Sequence, residues 1–156
     1  MCKVIKPPVW SNFATPSIFL AGSIEMNAAE NWQEKVEKEL SDFPIEIYNP
    51  RRDDWDSSWT QDISDPTFYE QVTWELDHLE GARLILLYLD PNTKSPISLL
   101  ELGLFSSSER LVVCCPDGFW RKGNVQIVCE RYDIPLFDTY DEWIEEVKNR
   151  VIKFRY

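Results

Sequence analysis

The run Leu84-Ile85-Leu86-Leu87-Tyr88-Leu89 constrains this chain more than any other feature. An unbroken apolar run of strand length suits a strand covered on both faces, whereas a half-exposed strand would alternate. Covering both faces takes a helical layer on each side. The rest of the chain supplies such layers in alternation. Ser17-Ile18-Phe19-Leu20-Ala21 is a second apolar run, ended by Gly22. The stretch 27–40 then carries Ala28, Trp32, Val36 and Leu40 at helical spacing. Ile45-Glu46-Ile47-Tyr48 reads as a strand stopped by Asn49-Pro50. Residues 51–66 read as a polar, Trp-rich loop, and a loop of that length inside a compact domain is commonly functional. Helical spacing resumes over 68–79. Beyond the central run come a short helix over 98–105, the apolar run Leu111-Val112-Val113-Cys114-Cys115, a helix over 124–132, a short strand over 134–137 and an amphipathic helix over 140–154.

Strands that alternate with helices give a parallel sheet with right-handed crossovers. The expectation is one α/β domain over 1–156, flavodoxin-like or Rossmann-like, with a five-stranded parallel sheet and helices on both faces. Ligands of such sheets sit beyond the carboxyl ends of the strands. That draws attention to Gly22-Ser23, to the segment from Asn49 to Trp55, to Asp90 through Ser95, and to Pro116 onward.

Charge narrows the partners. The formal net charge is -11, a balance that repels polymeric nucleic acid and anionic membranes but not a single nucleoside. Cys2, Cys114, Cys115 and Cys129 form no CxxC pair and read as free thiols of a reducing compartment. Lys3 and Lys6 lead into prolines rather than a long apolar stretch, so no secretory leader is expected. No apolar run approaches the ~20 residues that span a bilayer. A cytoplasmic protein follows as the expectation. The one histidine, His78, has no cysteine or second histidine nearby, so neither a metal site nor a histidine-based catalytic triad is expected.

The strongest chemical signal is Ser95-Pro96-Ile97-Ser98-Leu99-Leu100-Glu101-Leu102-Gly103. A carboxylate among leucines needs either a partner or a task, although a solvated helix glutamate would look the same in sequence. In Trp74-Glu75-Leu76-Asp77, Asp77 falls late in a helix, where the dipole disfavours negative charge; a surface aspartate is the plain alternative. Asp90 ends the central strand and could be a turn residue or an acid. Trp55 and Trp59 could stack on a ring or pack beneath their loop.

Taken in order, Ile18-Phe19-Leu20-Ala21-Gly22-Ser23-Ile24, the helix with Asp77 before the strand at 84–89, and the segment from Ser95 to Gly103 resemble the nucleoside 2-deoxyribosyltransferase family, which has relatives that hydrolyse deoxynucleoside monophosphates. The resemblance spans about residues 17–137. It implies Glu101 as nucleophile and Asp77 as the carboxylate that handles the leaving base. It places Gly22, Ser23, Phe19, Arg52, Asp54, Trp55, Asp90, Ser95 and Asn124 around the substrate. Asn124 resembles an asparagine donated across a subunit interface, which implies a homo-oligomer with shared sites. Ser95 falls where transferases carry an aspartate and the nucleotide hydrolases a phosphate-contacting serine. Phe19 stands where members usually have a tyrosine bonded to the nucleophile. No metal or organic cofactor is implied, and the partners are nucleosides and free nucleobases.

Departure of a base leaves oxocarbenium character at the sugar C1′, which a nearby carboxylate stabilises and captures. A second base then gives transfer, and water gives hydrolysis. Transfer of 2-deoxyribosyl groups is the first expectation, and nucleoside or 5′-nucleotide hydrolysis the second. A non-enzymatic flavodoxin-like binding module is the third; a receiver domain would need an acidic pair where Gly22-Ser23 stands.

Overall fold

A computed structural model describes residues 1–24, 29–52 and 59–154. Within them the strands are β1 (Lys3–Ile5), β2 (Ser17–Gly22), β3 (Glu46–Tyr48), β4 (Leu84–Tyr88), β5 (Leu111–Cys114) and β6 (Leu136–Phe137). The helices are α1 (Trp32–Glu39), α2 (Pro66–Gly81), α3 (Pro96–Phe105), α4 (Lys122–Arg131) and α5 (Tyr140–Ile152). Every strand pair is parallel and the order is β1-β3-β2-β4-β5-β6. The expected doubly wound α/β architecture is therefore present, with six strands rather than five. The added strand is β1, which extends the edge beyond β3. Its three residues, KVI, are too few and too mixed to declare a strand in sequence.

Residue parity on each strand sorts the core. Phe19, Ala21, Tyr48, Ile85, Leu87, Leu89, Leu111, Val113 and Cys115 face α2, α3 and α4. Ile18, Leu20, Ile47, Leu84, Leu86, Val112 and Cys114 face α1 and α5, against Trp32, Val36, Trp143, Val147 and Val151. Adjacent cysteines thus point to opposite layers, and Cys114, Cys115 and Cys129 are buried free thiols. Among the described residues no helix is long and apolar enough to cross a membrane.

Four helix starts differ from expectation, α3 and α4 each beginning two residues early, and capping gives the reason for α1 and α2. α2 begins at Pro66, since proline is pre-set for a first helical turn and Asp65 accepts hydrogen bonds from the amides of Thr67 and Phe68. α1 begins at Trp32 rather than at 27, with the Asn31 side chain accepting from the Glu34 amide; Asn27 and Ala28 lie outside the described residues.

The order in which strands are added to the sheet changes direction between β2 and β4, which pair in parallel. There the chains approach closely. Gly22 has φ +139°, and a Cβ on it would lie 2.2 Å from the Tyr88 carbonyl oxygen. Ser23 then bonds back through its amide to Tyr88 O at 3.0 Å. The Trp32 indole and the Gln33 amide both donate to Ser23 O, at 2.9 and 3.2 Å, which fixes the path out of β2.

At the opposite end of the sheet, segment 6–16 is pinned to α2. Trp74 Nε1 donates to Val9 O at 2.7 Å. The Ser11 amide donates to His78 Nε2 at 3.2 Å, so Nδ1 carries the proton and donates to Trp74 O at 2.7 Å. His78 is wholly buried, stacked on Trp74 at 4.0 Å and edge-on to Tyr48. Burial holds its pKa below the usual value. The histidine is a neutral structural pin.

Gly22→Ala should destabilise the fold by about 3 kcal/mol, from positive-φ strain and overpacking together. Urea denaturation reads this directly. A loss below about 0.5 kcal/mol, the range of neutral surface changes, would mean that β2 and β4 are not held this tightly.

Candidate active site

Helix α2 lays one stripe on the sheet: Gln71, Trp74, Glu75 and His78, spaced i, i+3, i+4 and i+7. Trp74 and Leu79 anchor that stripe in the core. Glu75 is carried inward with them. Its Oε1 accepts a hydrogen bond from Gln71 Nε2 at 3.1 Å. Burial pushes its carboxyl up to about 7, with the Gln71 bond opposing. Asp77 sits outside the stripe. It is exposed, and its Oδ2 accepts from the Trp10 indole at 3.2 Å. The expected partnership of Asp77 with Glu101 is therefore not what the helix presents. A residue two positions on is rotated by about 200°, so α2 turns Glu75 in and Asp77 out.

Helix α3 turns Ser98, Glu101 and Leu102 inward. Glu101 is 9% exposed. Burial first, and then the charge on Glu75, push its carboxyl up to about 8. An ionised Glu75 thus favours the proton on Glu101. Glu101 is buried and Glu75 half-buried.

Three hydroxyls meet at the carboxyl ends of β2 and β4. Ser23 Oγ lies 2.6 Å from Ser95 Oγ and 2.9 Å from Thr93 Oγ1, and those two are 2.7 Å apart. All three residues are buried. Ser95 takes a left-handed conformation, φ 47°, immediately before α3 and makes no side-chain cap to that helix. Asp90 supports the trio from its backbone: its amide donates to Ser23 Oγ at 2.8 Å, and its carbonyl accepts from Thr93 Oγ1 at 3.0 Å. The Asp90 carboxylate accepts from the amides of Glu30 and Asn92, at 2.9 and 2.8 Å. Of its two expected roles, the geometry builds the turn. Gly22 and Ser23 are brought together with Ser95.

The segment after β3 reaches the carboxyl pair through Gln71. Its Nε2 also donates to Pro50 O at 3.2 Å, and Arg52 Nη1 lies 3.5 Å from its Oε1. The Arg52 guanidinium stands over Trp59 at 5.1 Å. Asp54 and Trp55 lie outside the described residues. Phe19 is wholly buried on the α2–α3 side, tilted against Trp74 at 6.2 Å. Its neighbours Ile18 and Leu20 face the other layer. Asn124 is exposed. It lines a groove of about 310 Å³ between α3 and α4 with Leu99, Leu102, Trp120 and Arg121. Glu75, Gln71 and Thr93 were not singled out in sequence.

The pattern described as "nucleoside 2-deoxyribosyltransferase like" matches residues 15–119. The chain belongs to that family. The matched stretch contains Glu75, Glu101 and the hydroxyl trio, while Asn124 lies beyond its end. A crystal structure of a conserved protein from Enterococcus faecalis V583 is similar in fold, with a TM-score of 0.61 and 16% identity. That likeness covers 88% of this chain and 99% of the other, and it shows the fold alone. No curated protein matches the chain in sequence.

Both carboxyls are raised above the 4.5 of a free glutamate. Folding therefore favours their protonated forms. The stability they contribute is fully present below about 4.5 and is lost as pH rises through about 7 and 8. Glu101→Gln should accordingly be more stable than the parent at pH 9, by on the order of 2–3 kcal/mol, and close to it at pH 5. Urea titrations at the two pH values test this. An equal difference at both would show that Glu101 is not buried as a charge.

Proposed function

We propose that the protein transfers the 2-deoxyribosyl group between nucleobases through a covalent ester on Glu101. The observation that carries this reading is the half-buried Glu75 paired with the buried Glu101, raised to about 7 and about 8, in a chain of the 2-deoxyribosyltransferase-like family. Glu75 takes the part that the sequence had given to Asp77.

In the reactive state Glu101 is ionised and Glu75 holds the proton. The C1′–N bond breaks with its electron pair moving to the base, and Glu75 delivers its proton to that base. A Glu101 oxygen bonds to C1′ from the opposite side. An incoming base then attacks C1′, the ester opens, the Glu101 carboxylate is released, and the incoming base returns a proton to Glu75. Configuration is retained over two displacements. A singly protonated pair can hold its proton on either carboxyl, and the reactive arrangement is the one with the proton on Glu75.

Arg52 and Trp59, beside the segment joined to Gln71, form the base side of the site. Ser23, Thr93 and Ser95 form the sugar side, where the 5′-hydroxyl is met by uncharged groups. The second reading, hydrolysis of a nucleoside 5′-monophosphate, is favoured by one feature: Ser95 supplies a hydroxyl and no charge at the start of α3, where helix amides attract an anion.

A second copy of the chain completes the site in this reading. Ile97, Leu100 and Leu104 are 58%, 59% and 57% exposed along one face of α3, and Asn124 opens on the groove beside that helix. Leu100→Asp should leave the monomer folded, since an exposed substitution costs little, and should convert an oligomer to monomers by light scattering. A parent protein that is itself monomeric and fully active would refute the assembly.

Below about pH 7 both carboxyls are protonated and the nucleophile is lost. Above about pH 8 both are ionised and the proton donor is lost. The kcat/KM profile should be a narrow bell with its maximum between these values, and Glu101→Ala should lower it by roughly 10³-fold or more. Deoxyinosine is the substrate of choice, with and without free adenine, set against deoxyinosine monophosphate, with products separated by chromatography. Base exchange identifies the transferase. Release of hypoxanthine only from the monophosphate identifies the hydrolase. A flat profile with active Glu101→Ala rejects both.

A further inference from the structure

We propose that Gln71 is a positioning residue, which directs the acidic proton of Glu75 and ties that carboxyl to the segment carrying Arg52. The inference rests on the reading of Glu75 as proton donor and goes beyond it by assigning what aims the donor.

The Gln71 side chain is 6% exposed and sits one helical turn before Glu75. Both hydrogens of its amide nitrogen have acceptors: Pro50 O at 3.2 Å and Glu75 Oε1 at 3.1 Å. Its oxygen faces Arg52 Nη1 at 3.5 Å. The amide orientation follows from these partners, because the flipped form would set its oxygen against two acceptors and its nitrogen against a guanidinium. Glu75 Oε1 is thus committed as an acceptor. When Glu75 is protonated, the better arrangement leaves Oε1 as the carbonyl oxygen and places the hydrogen on Oε2. The donor therefore presents one defined oxygen.

The same amide spans two elements. Pro50 and Arg52 follow β3, and Asn49 fixes that exit: its Oδ1 accepts from the Arg51 amide at 2.9 Å and its Nδ2 donates to Glu37 at 2.6 Å. The segment is held from one side by Asn49 and from the other by Gln71. A base that engages Arg52 is then registered against the oxygen that must protonate it. Proximity of this kind loses its effect when the donor is free to rotate. A hydrophobic contact at position 71 would hold the helix but could not choose between the two oxygens.

Gln71→Met keeps length and burial and deletes the amide; Gln71→Asn keeps the amide and shortens its reach. Carboxyl ¹³C NMR titration of Glu75 in the unliganded protein should show its midpoint displaced upward by about one pH unit in both variants, because a hydrogen bond to the charged form is removed. In turnover, the acidic limb of the bell should move upward with it. The kcat for deoxyinosine should fall at least tenfold, while an activated nitrophenyl deoxyriboside should be spared, since its leaving group needs little protonation. If the midpoint and the limb stay in place in a variant whose thermal midpoint is near the parent's, Gln71 only packs, and the proposal fails. If both leaving groups lose equally, it also fails. The reading beneath it is tested separately by Glu75→Gln: unchanged deoxyinosine turnover there would remove Glu75 as donor, whatever Gln71 does to the titration.

Discussion

Everything at the carboxyl edge of the sheet depends on how closely β2 and β4 meet at their ends. A side chain at position 22 would collide with the Tyr88 carbonyl, so only glycine lets Ser23 turn back onto β4. That return sets Ser23 against the Asp90 amide, and Asp90 in turn shapes the link to Thr93 and Ser95. Ser95 then launches α3 with its left-handed backbone, which settles the rotation of the helix and sends Glu101 inward. One backbone contact is thus converted, through short polar links, into the placement of a carboxylate a turn and a half along a helix.

The carboxyl pair shows what such placement does to the acidity of two side chains. Two acidic groups in a shared low-dielectric space cannot both ionise cheaply. The surrounding apolar residues, Phe19, Trp74 and Leu102 among them, raise both groups, and their mutual repulsion separates the two ionisations. The acidic exterior does not intrude, because surface charge is screened within about a Debye length while a buried pair is not.

Strands were legible because apolar runs such as 84–89 and 111–115 have no other reading in a chain of this spacing. β1 was not, since three residues of mixed character pair only because β3 offers an edge. Glu101 stood out as a carboxylate among leucines. Glu75 did not, although it lies next to Trp74, because a helical stripe carrying Gln71, Glu75 and His78 looks polar and solvent-facing until its partners are seen. Asp77 drew the eye instead by its place near the helix end, a criterion of dipole energy that says nothing about which way a side chain points. Capping decided the start of α2: Asp65-Pro66 is a strong local signal that the length of the preceding loop obscured.

The ring formed by Ser23, Thr93 and Ser95 has a consequence of its own. Each hydroxyl has one hydrogen to donate, and Thr93 gives its own to the Asp90 carbonyl, so Thr93 accepts within the ring and the Ser23–Ser95 link can run in either sense with no heavy atom displaced. The backbone of Asp90 touches the ring with one donor and one acceptor. The polarity of this buried corner can therefore change through rotation of two O–H bonds alone, on a scaffold that stays in place.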